Sequence, residues 1–192
     1  SRGIAMRAAS LGAQVIVTDI DPGKAIEAKM DGFSVMPMAK AAHFGDIFVS
    51  ATGCCKTITT EHMMSRKDGA ILTNAGHFDC EVDMEMNKKF AVEKTERRNN
   101  ITGYKLPNGK WVNVIGEGRL VNIAAADGHP AEIMDMSFAV QAMSAKYIKD
   151  NYKNLHNGVI DVSREIDDVI ARRKLESWGI EIDSLTEEQE AY

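Results

Sequence analysis

The sequence predicts an α/β domain built on a doubly wound parallel sheet, followed by a long helix and a C-terminal helical segment. Three observations carry that expectation. The runs Gln14 to Thr18 (QVIVT) and Asp46 to Ser50 (DIFVS) are short and rich in β-branched residues, as strands buried on both faces are. Stretches with helical spacing lie between such runs, which is the pattern of βαβ units. Right-handed crossovers then place the helices on both faces of one sheet.

Each element follows in chain order. Gly3 to Leu11 carries Ile4, Ala8 and Leu11 on one helical face, and Gly12 supplies a stop. After the strand at 14–18, Asp21-Pro22 opens a helix that runs through Met30 and closes near Gly32. Phe33 to Met36 is a short strand, Ala39 to Phe44 a short helix, and 46–50 the second buried strand. Thr60 is expected to cap a helix containing Glu61 to Met64, and Ala70 to Thr73 makes a further strand. Tyr104 to Leu106 and Trp111 to Val114 flank Asn108-Gly109, a hairpin signal because both central residues of such a turn take positive φ. Pro130 opens a helix to about Tyr147. It carries apolar residues at 133, 136, 140, 143 and 147 and again at 134, 138 and 142, so it is expected to pack between other elements. Beyond Gly158 two helices are expected. The first turns Ile166, Val169 and Ile170 inward, and the second is capped by Thr186 with Gln189.

Composition sets limits on function. The 192 residues are 44% hydrophobic and 27% charged with a net charge of −5, which suits a globular protein and offers no electrostatic footprint for nucleic acid. No apolar stretch approaches the roughly 20 residues needed to span a bilayer, and no secretion signal is visible. The cytoplasm is the expected home. The three cysteines, Cys54, Cys55 and Cys80, lack the spacing of a zinc site, and adjacent cysteines form no ordinary disulfide. Cys54 and Cys55 are read as buried, inert thiols, and no metal is expected. The chain enters its first helix at once, with no initiator Met, so the start of a longer molecule is expected to be missing.

Ligands of such sheets bind beyond the carboxyl ends of the strands, which directs attention to the loops after Thr18, Ser50 and Thr73. The amino end of the first helix suits a diphosphate, because its free N–H groups and its dipole favour an anion. Asp19 ends the first strand. It either accepts hydrogen bonds from ribose hydroxyls, which favours NAD over NADP, or caps the next helix beside Asp21. Thr52-Gly53 either admits a ligand close to the backbone or is an ordinary turn. His77, in Asn74-Ala75-Gly76-His77-Phe78-Asp79, is placed to meet a reacting centre with a side chain that titrates near neutrality. His129, in Asp127-Gly128-His129-Pro130, has a similar setting, whereas His43, His62 and His156 read as surface or packing residues.

At these residues a family becomes visible. Val15 to Pro22 (VIVTDIDP), Ala51-Thr52-Gly53, Asn74 to Asp79 (NAGHFD), Gly116 to Asn122 (GEGRLVN) and Gly128-His129-Pro130, in that order, resemble S-adenosylhomocysteine hydrolase over essentially the whole chain. The resemblance implies a Rossmann-type domain over 1–127, a hinge and helix over 128–157 returning to a substrate domain, and an oligomerisation segment over 158–192. It also implies a tightly held NAD used as a reusable oxidant. The family oxidises the substrate 3′-hydroxyl, eliminates homocysteine, adds water and reduces the ketone again. Carried over by position, Ser1, Arg2 and Gly3 match the end of the phosphate-binding loop and Asp19 a ribose-binding acid that is often Glu. Lys24 falls where many members have Asn on that ribose. Thr52, Ala75, Gly76 and His77 match the nicotinamide side, His77 also lying near the substrate sugar. Asn122 matches a residue on the carboxamide and His129 one that closes over the substrate. The principal acid/base residues of the family lie upstream of this segment, so the chain alone is expected to be inactive. The implied partners are an adenosine- or inosine-containing thioether and further copies in a homotetramer, with neither nucleic acid nor membrane. The rival readings are a 2-hydroxyacid dehydrogenase and a non-catalytic NAD-binding paralogue.

Overall fold

The structure, a computed structural model, describes the fold of residues 1–192 and the side chains of all of them except Thr60, Met86 and Asn87. The chain forms two compact units, Ser1–Gly128 and His129–Tyr192.

The first unit opens with α1 (Arg2–Ser10), β1 (Ile16–Val17), α2 (Pro22–Met30) and β2 (Ser34–Val35). β1 and β2 pair in parallel as a ladder of their own. α2 starts where Asp21-Pro22 places it. Asp21 accepts hydrogen bonds from the N–H groups of Gly23 at 2.7 Å and Lys24 at 3.2 Å, satisfying two donors a helix start leaves free. α3 (Met38–Ala41) leads into β3 (Ile47–Ser50), α4 (Thr60–Ser65) and β4 (Ala70–Asn74). The cap of α4 is Thr59, one residue before the expected Thr60, whose side chain lies outside the described residues. His62, read as a surface or packing residue, completes that cap: its Nδ1 accepts the Thr59 N–H at 3.2 Å.

Then follow α5 (Met84–Phe90), β5 (Glu93–Arg98), β6 (Ile101–Lys105), β7 (Trp111–Ile115), the 3-10 turn Gly116–Gly118 and α6 (Val121–Ala124). The five-stranded sheet has the order β3-β4-β7-β6-β5. It is parallel from β3 through β4 to β7 and antiparallel across β7, β6 and β5. The Asn-Gly signal does mark the β6–β7 hairpin, but only Gly109 takes positive φ, at 82°. The connection is longer than a two-residue turn, and Gly109 N–H and Lys110 C=O both bond to Leu106. The core packs Phe48, Ile58, Met63, Leu72, Val82, Tyr104, Leu106, Val112 and Val114 against this sheet.

The second unit holds α7 (Ala131–Asn151), α8 (Arg164–Trp178) and α9 (Glu187–Ala191). The Thr186–Gln189 capping box is present on α9. Ile166 is buried, whereas Val169, expected to face inward, is 43% exposed. α7 buries none of its residues completely, contrary to the packed helix its all-round apolar pattern suggests. No helix among the described residues is long and apolar enough to cross a membrane.

Candidate functional site

The parallel strands β3 and β4 end side by side, Ser50 in register with Asn74. Parallel pairing therefore brings two loops together at one end of the sheet, where open α/β sheets take ligands. Glu81, which no sequence pattern singled out, stands between them. Its side chain is fully buried. Ser50 Oγ donates to it at 2.5 Å, Thr52 N–H at 3.0 Å, Thr52 Oγ1 at 3.1 Å and Gly53 N–H at 2.8 Å. Removing a carboxylate from water costs several kcal/mol. Hydrogen bonds to a charged group return about 1.5–3 kcal/mol each, so four donors are enough to hold it ionised. Burial pushes the Glu81 pKa up, but the bonds from Ser50, Thr52 and Gly53 outweigh it and hold the carboxyl below its usual range.

The same carboxylate explains a glycine. A Cβ added at Gly76 would overlap the Glu81 carboxyl group, so the Asn74-Ala75-Gly76-His77 loop closes over Glu81 only because residue 76 has no side chain. Asn74 fixes that loop from below. Its amide donates to Phe78 C=O at 2.7 Å and to Gly118 C=O at 3.0 Å, and its Oδ1 accepts the Gly76 N–H at 2.7 Å. Ala75 N–H reaches Ser50 C=O at 2.7 Å, and a bridge pairs Asn74 with Leu120. Thr52, Ala75, Gly76 and the segment leading to Asn122 are thus stitched into one loop cluster.

His77 is exposed beside it, its ring edge-on to Phe78 at 4.6 Å. Asn122 is half-buried at the start of α6, and its C=O accepts the Gly128 N–H at 2.9 Å. Glu117, also unforeseen, holds φ at 57° between two glycines. Tyr104 and Thr102 hydroxyls both donate to it at 2.7 Å, and Lys94 lies 3.4 Å away. Burial raises the Glu117 pKa, but these hydroxyls and Lys94 together hold it low; burial beside that carboxylate drives the Tyr104 hydroxyl well above its ordinary value.

A second group of expected site residues lies on the β1–β2 side. Ser1 is the N-cap of α1 and makes no side-chain cap bond, and the first turn of α1 contains no acid. Apart from its chain neighbours and the backbone of its own helix, no atom of the described residues stands within 4 Å of a Cβ built at Gly3. Arg2 is engaged with Asp31 at 2.7 Å, which lifts its pKa first through that hydrogen bond and then through the charge. Asp19 is exposed, and one of its oxygens accepts the Asp21 N–H at 3.0 Å; the helix cap itself is Asp21. Lys24 gives its backbone N–H to that cap. The two groups sit on separate ladders of the first unit. His129 is exposed and belongs to the second unit, ahead of α7.

The cysteines overturn their sequence reading. Cys55 and Cys80 form a disulfide, and Cys54 is an exposed free thiol. Arguing from the adjacent pair alone missed a partner 25 residues away.

Comparison with known proteins gives a consistent picture. The family described as S-adenosyl-L-homocysteine hydrolase, NAD binding domain, matches residues 1–128. The whole chain is 57% identical to an adenosylhomocysteinase of Pyrococcus abyssi (strain GE5 / Orsay) and 58% identical to one of Thermococcus kodakarensis, spanning 45% of each relative. It is 52% identical to an S-inosyl-L-homocysteine hydrolase of Methanocaldococcus jannaschii, spanning 46% of it. The chain therefore spans about half the length of the curated relatives it matches.

Proposed function

The chain belongs to the S-adenosyl-L-homocysteine hydrolase family, through its NAD-binding domain, and from that premise we propose that it supplies the cofactor half of a thioether hydrolase. The observation that carries the reading is the open amino end of α1, which has no acidic residue in its first turn, no side-chain cap and free space above Gly3. Those features fit the diphosphate of NAD: the first N–H groups and the helix dipole favour an anion, and the carboxylate near that turn, Asp31, is paired with Arg2. Asp19 offers a carboxylate to the adenosine ribose hydroxyls and disfavours a 2′-phosphate by charge.

Bound NAD, held by Asp19, Thr52, Ala75, Gly76 and Asn122, would supply a reversible hydride acceptor for the 3′-carbon of the substrate ribose. The residues of this chain then orient and enclose. Thr52, Ala75 and Gly76 form the nicotinamide wall, kept in place by Glu81 and Asn74. Asn122 would hold the carboxamide, and His77 would face the substrate sugar. Homocysteine is the leaving thiol, and the purine is adenine or hypoxanthine, since relatives carry both the adenosyl and the inosyl name. Residues 128–157 act as hinge and return helix, and 158–192 as an assembly segment of a cytoplasmic homotetramer. The apolar, uncovered sides of α7, including Ile133, Phe138 and Ile148, support that assignment because such a helix needs neighbours.

Equilibrium binding tests the reading. NAD should bind and NADP should not, and Asp19→Ala should weaken NAD roughly tenfold or more, the worth of a charge-assisted hydrogen bond. Equal affinity of the wild type and Asp19→Ala would remove the ribose assignment. Release of homocysteine thiol should require the other half of such a relative. Net reduction of NAD by a 2-hydroxy acid would favour a dehydrogenase instead.

A further inference from the structure

Cys55 lies three residues after Thr52 in the loop that follows β3, and Cys80 three residues after His77 in the loop that follows β4. Their disulfide has Cα atoms 4.8 Å apart, a span that a disulfide bridges without moving the backbone. It crosses the same gap as the Glu81 bracket. Lys56 N–H donates to Cys80 C=O at 2.7 Å, and Ile58 pairs with Val82. Cys55 is exposed and Cys80 half-exposed, so small thiols and disulfides reach them. Cys54 stays apart, its thiol 3.7 Å from Cys55 C=O.

We propose that Cys55 and Cys80 are a reversible redox couple that fastens the Thr52–Gly53 loop to the Gly76–His77 loop. The inference rests on reading those loops as the nicotinamide wall, so the state of the bridge sets how firmly the wall is held. The oxidant is a small-molecule disulfide such as oxidised glutathione. One protein thiolate attacks it, forms a mixed disulfide and releases one small thiol. The second protein thiolate attacks the protein sulfur of that adduct and releases the other. The pair gives up two electrons and two protons, which appear as two small-molecule thiols. A small dithiol runs the sequence backwards. A covalent link between the loops slows their separation, because it removes open states the reduced protein can visit.

The test equilibrates the folded chain with oxidised glutathione or with dithiothreitol and maps free thiols by alkylation and peptide mass analysis. Amide hydrogen exchange over residues 52–58 and NAD retention are measured on the same samples. The oxidised protein should show a Cys55–Cys80 peptide link with Cys54 free. Its exchange at the Gly53 and Lys56 amides should be slower by about tenfold or more, and it should lose NAD more slowly. Cys55→Ser and Cys80→Ser should each abolish both differences, and Cys54→Ser should preserve them. Three free thiols under oxidised glutathione, a link through Cys54, or equal exchange in both states would overturn the couple. Slower exchange with unchanged NAD retention would overturn its control of the site. If NAD is held in neither state while exchange still responds, the couple stands and the cofactor assignment fails.

Discussion

The two ends of the five-stranded sheet each bury an ionisable side chain, and they treat it in opposite ways. At the carboxyl end Glu81 receives four hydrogen bonds, and Asn74 beside it makes three. At the amino end Arg66 precedes β4 and is just as buried, yet none of its three side-chain nitrogens has a hydrogen-bond partner among the described residues. Only its backbone is used, its C=O accepting from Lys110 Nζ at 2.7 Å. Burial alone pushes the Arg66 guanidinium down to about 10. A groove of about 500 Å³ runs from Asp68 and Gly69 to Arg98 and Ile101, with Arg97 stacked on Trp111 at 4.1 Å, and its lining includes none of the loop residues that carry the expected site. The contrast shows that burial alone does not distinguish the expected site. What marks the carboxyl end is the saturation of its buried charge by backbone and hydroxyl donors from two loops.

Three substitutions sharpen that contrast. Gly76→Ala should be the most damaging, because the new methyl must displace a carboxylate pinned by four donors. Overpacking and broken charged hydrogen bonds together should cost about 3 kcal/mol or more, read as a fall in the urea midpoint. Glu81→Gln keeps the shape but turns one acceptor oxygen into a donor facing other donors, for about 2 kcal/mol at neutral pH. Its pH dependence is diagnostic. The folded-state pKa of Glu81 lies below the ordinary 4.5, so its contribution is present above that value and lost as pH falls through the lower one. The acid limb of the stability curve should flatten in Glu81→Gln, and an unchanged limb would deny Glu81 its charge. Arg66→Met should move stability the other way, raising it by about 1–2 kcal/mol, since an unpartnered buried cation gives way to an apolar side chain of similar length. A destabilised Arg66→Met protein would show that the guanidinium has a use its geometry hides.

What could be read from the sequence divides along the same line. Local signals were legible: Asp21-Pro22 announces the α2 start, Asn108-Gly109 the hairpin, Thr186 with Gln189 the last cap. Each depends on neighbours a few residues away. The run Glu93–Arg98 (EKTERR) gave no strand signal because it forms a charged edge, where alternation of apolar and polar residues is not required. Glu81 and Cys80 were illegible for a different reason. Their surroundings exist only after β3 and β4 lie side by side, and the partners they meet come from 24 or more residues away. The loop residues Thr52, Gly76 and His77 could be named from their place at strand ends, but the carboxylate that organises two of them could not.

Glu117 carries a consequence for the order of assembly. A non-glycine residue in the left-handed region costs about 1–2 kcal/mol, and here that cost is met by hydroxyls of Thr102 and Tyr104 on β6. Those partners exist only once the β6–β7 hairpin has closed. The swivel at 116–118, and with it the stretch that leads to Asn122, therefore settles only with the hairpin that directly precedes it, which ties this segment to β6 through contacts local in sequence.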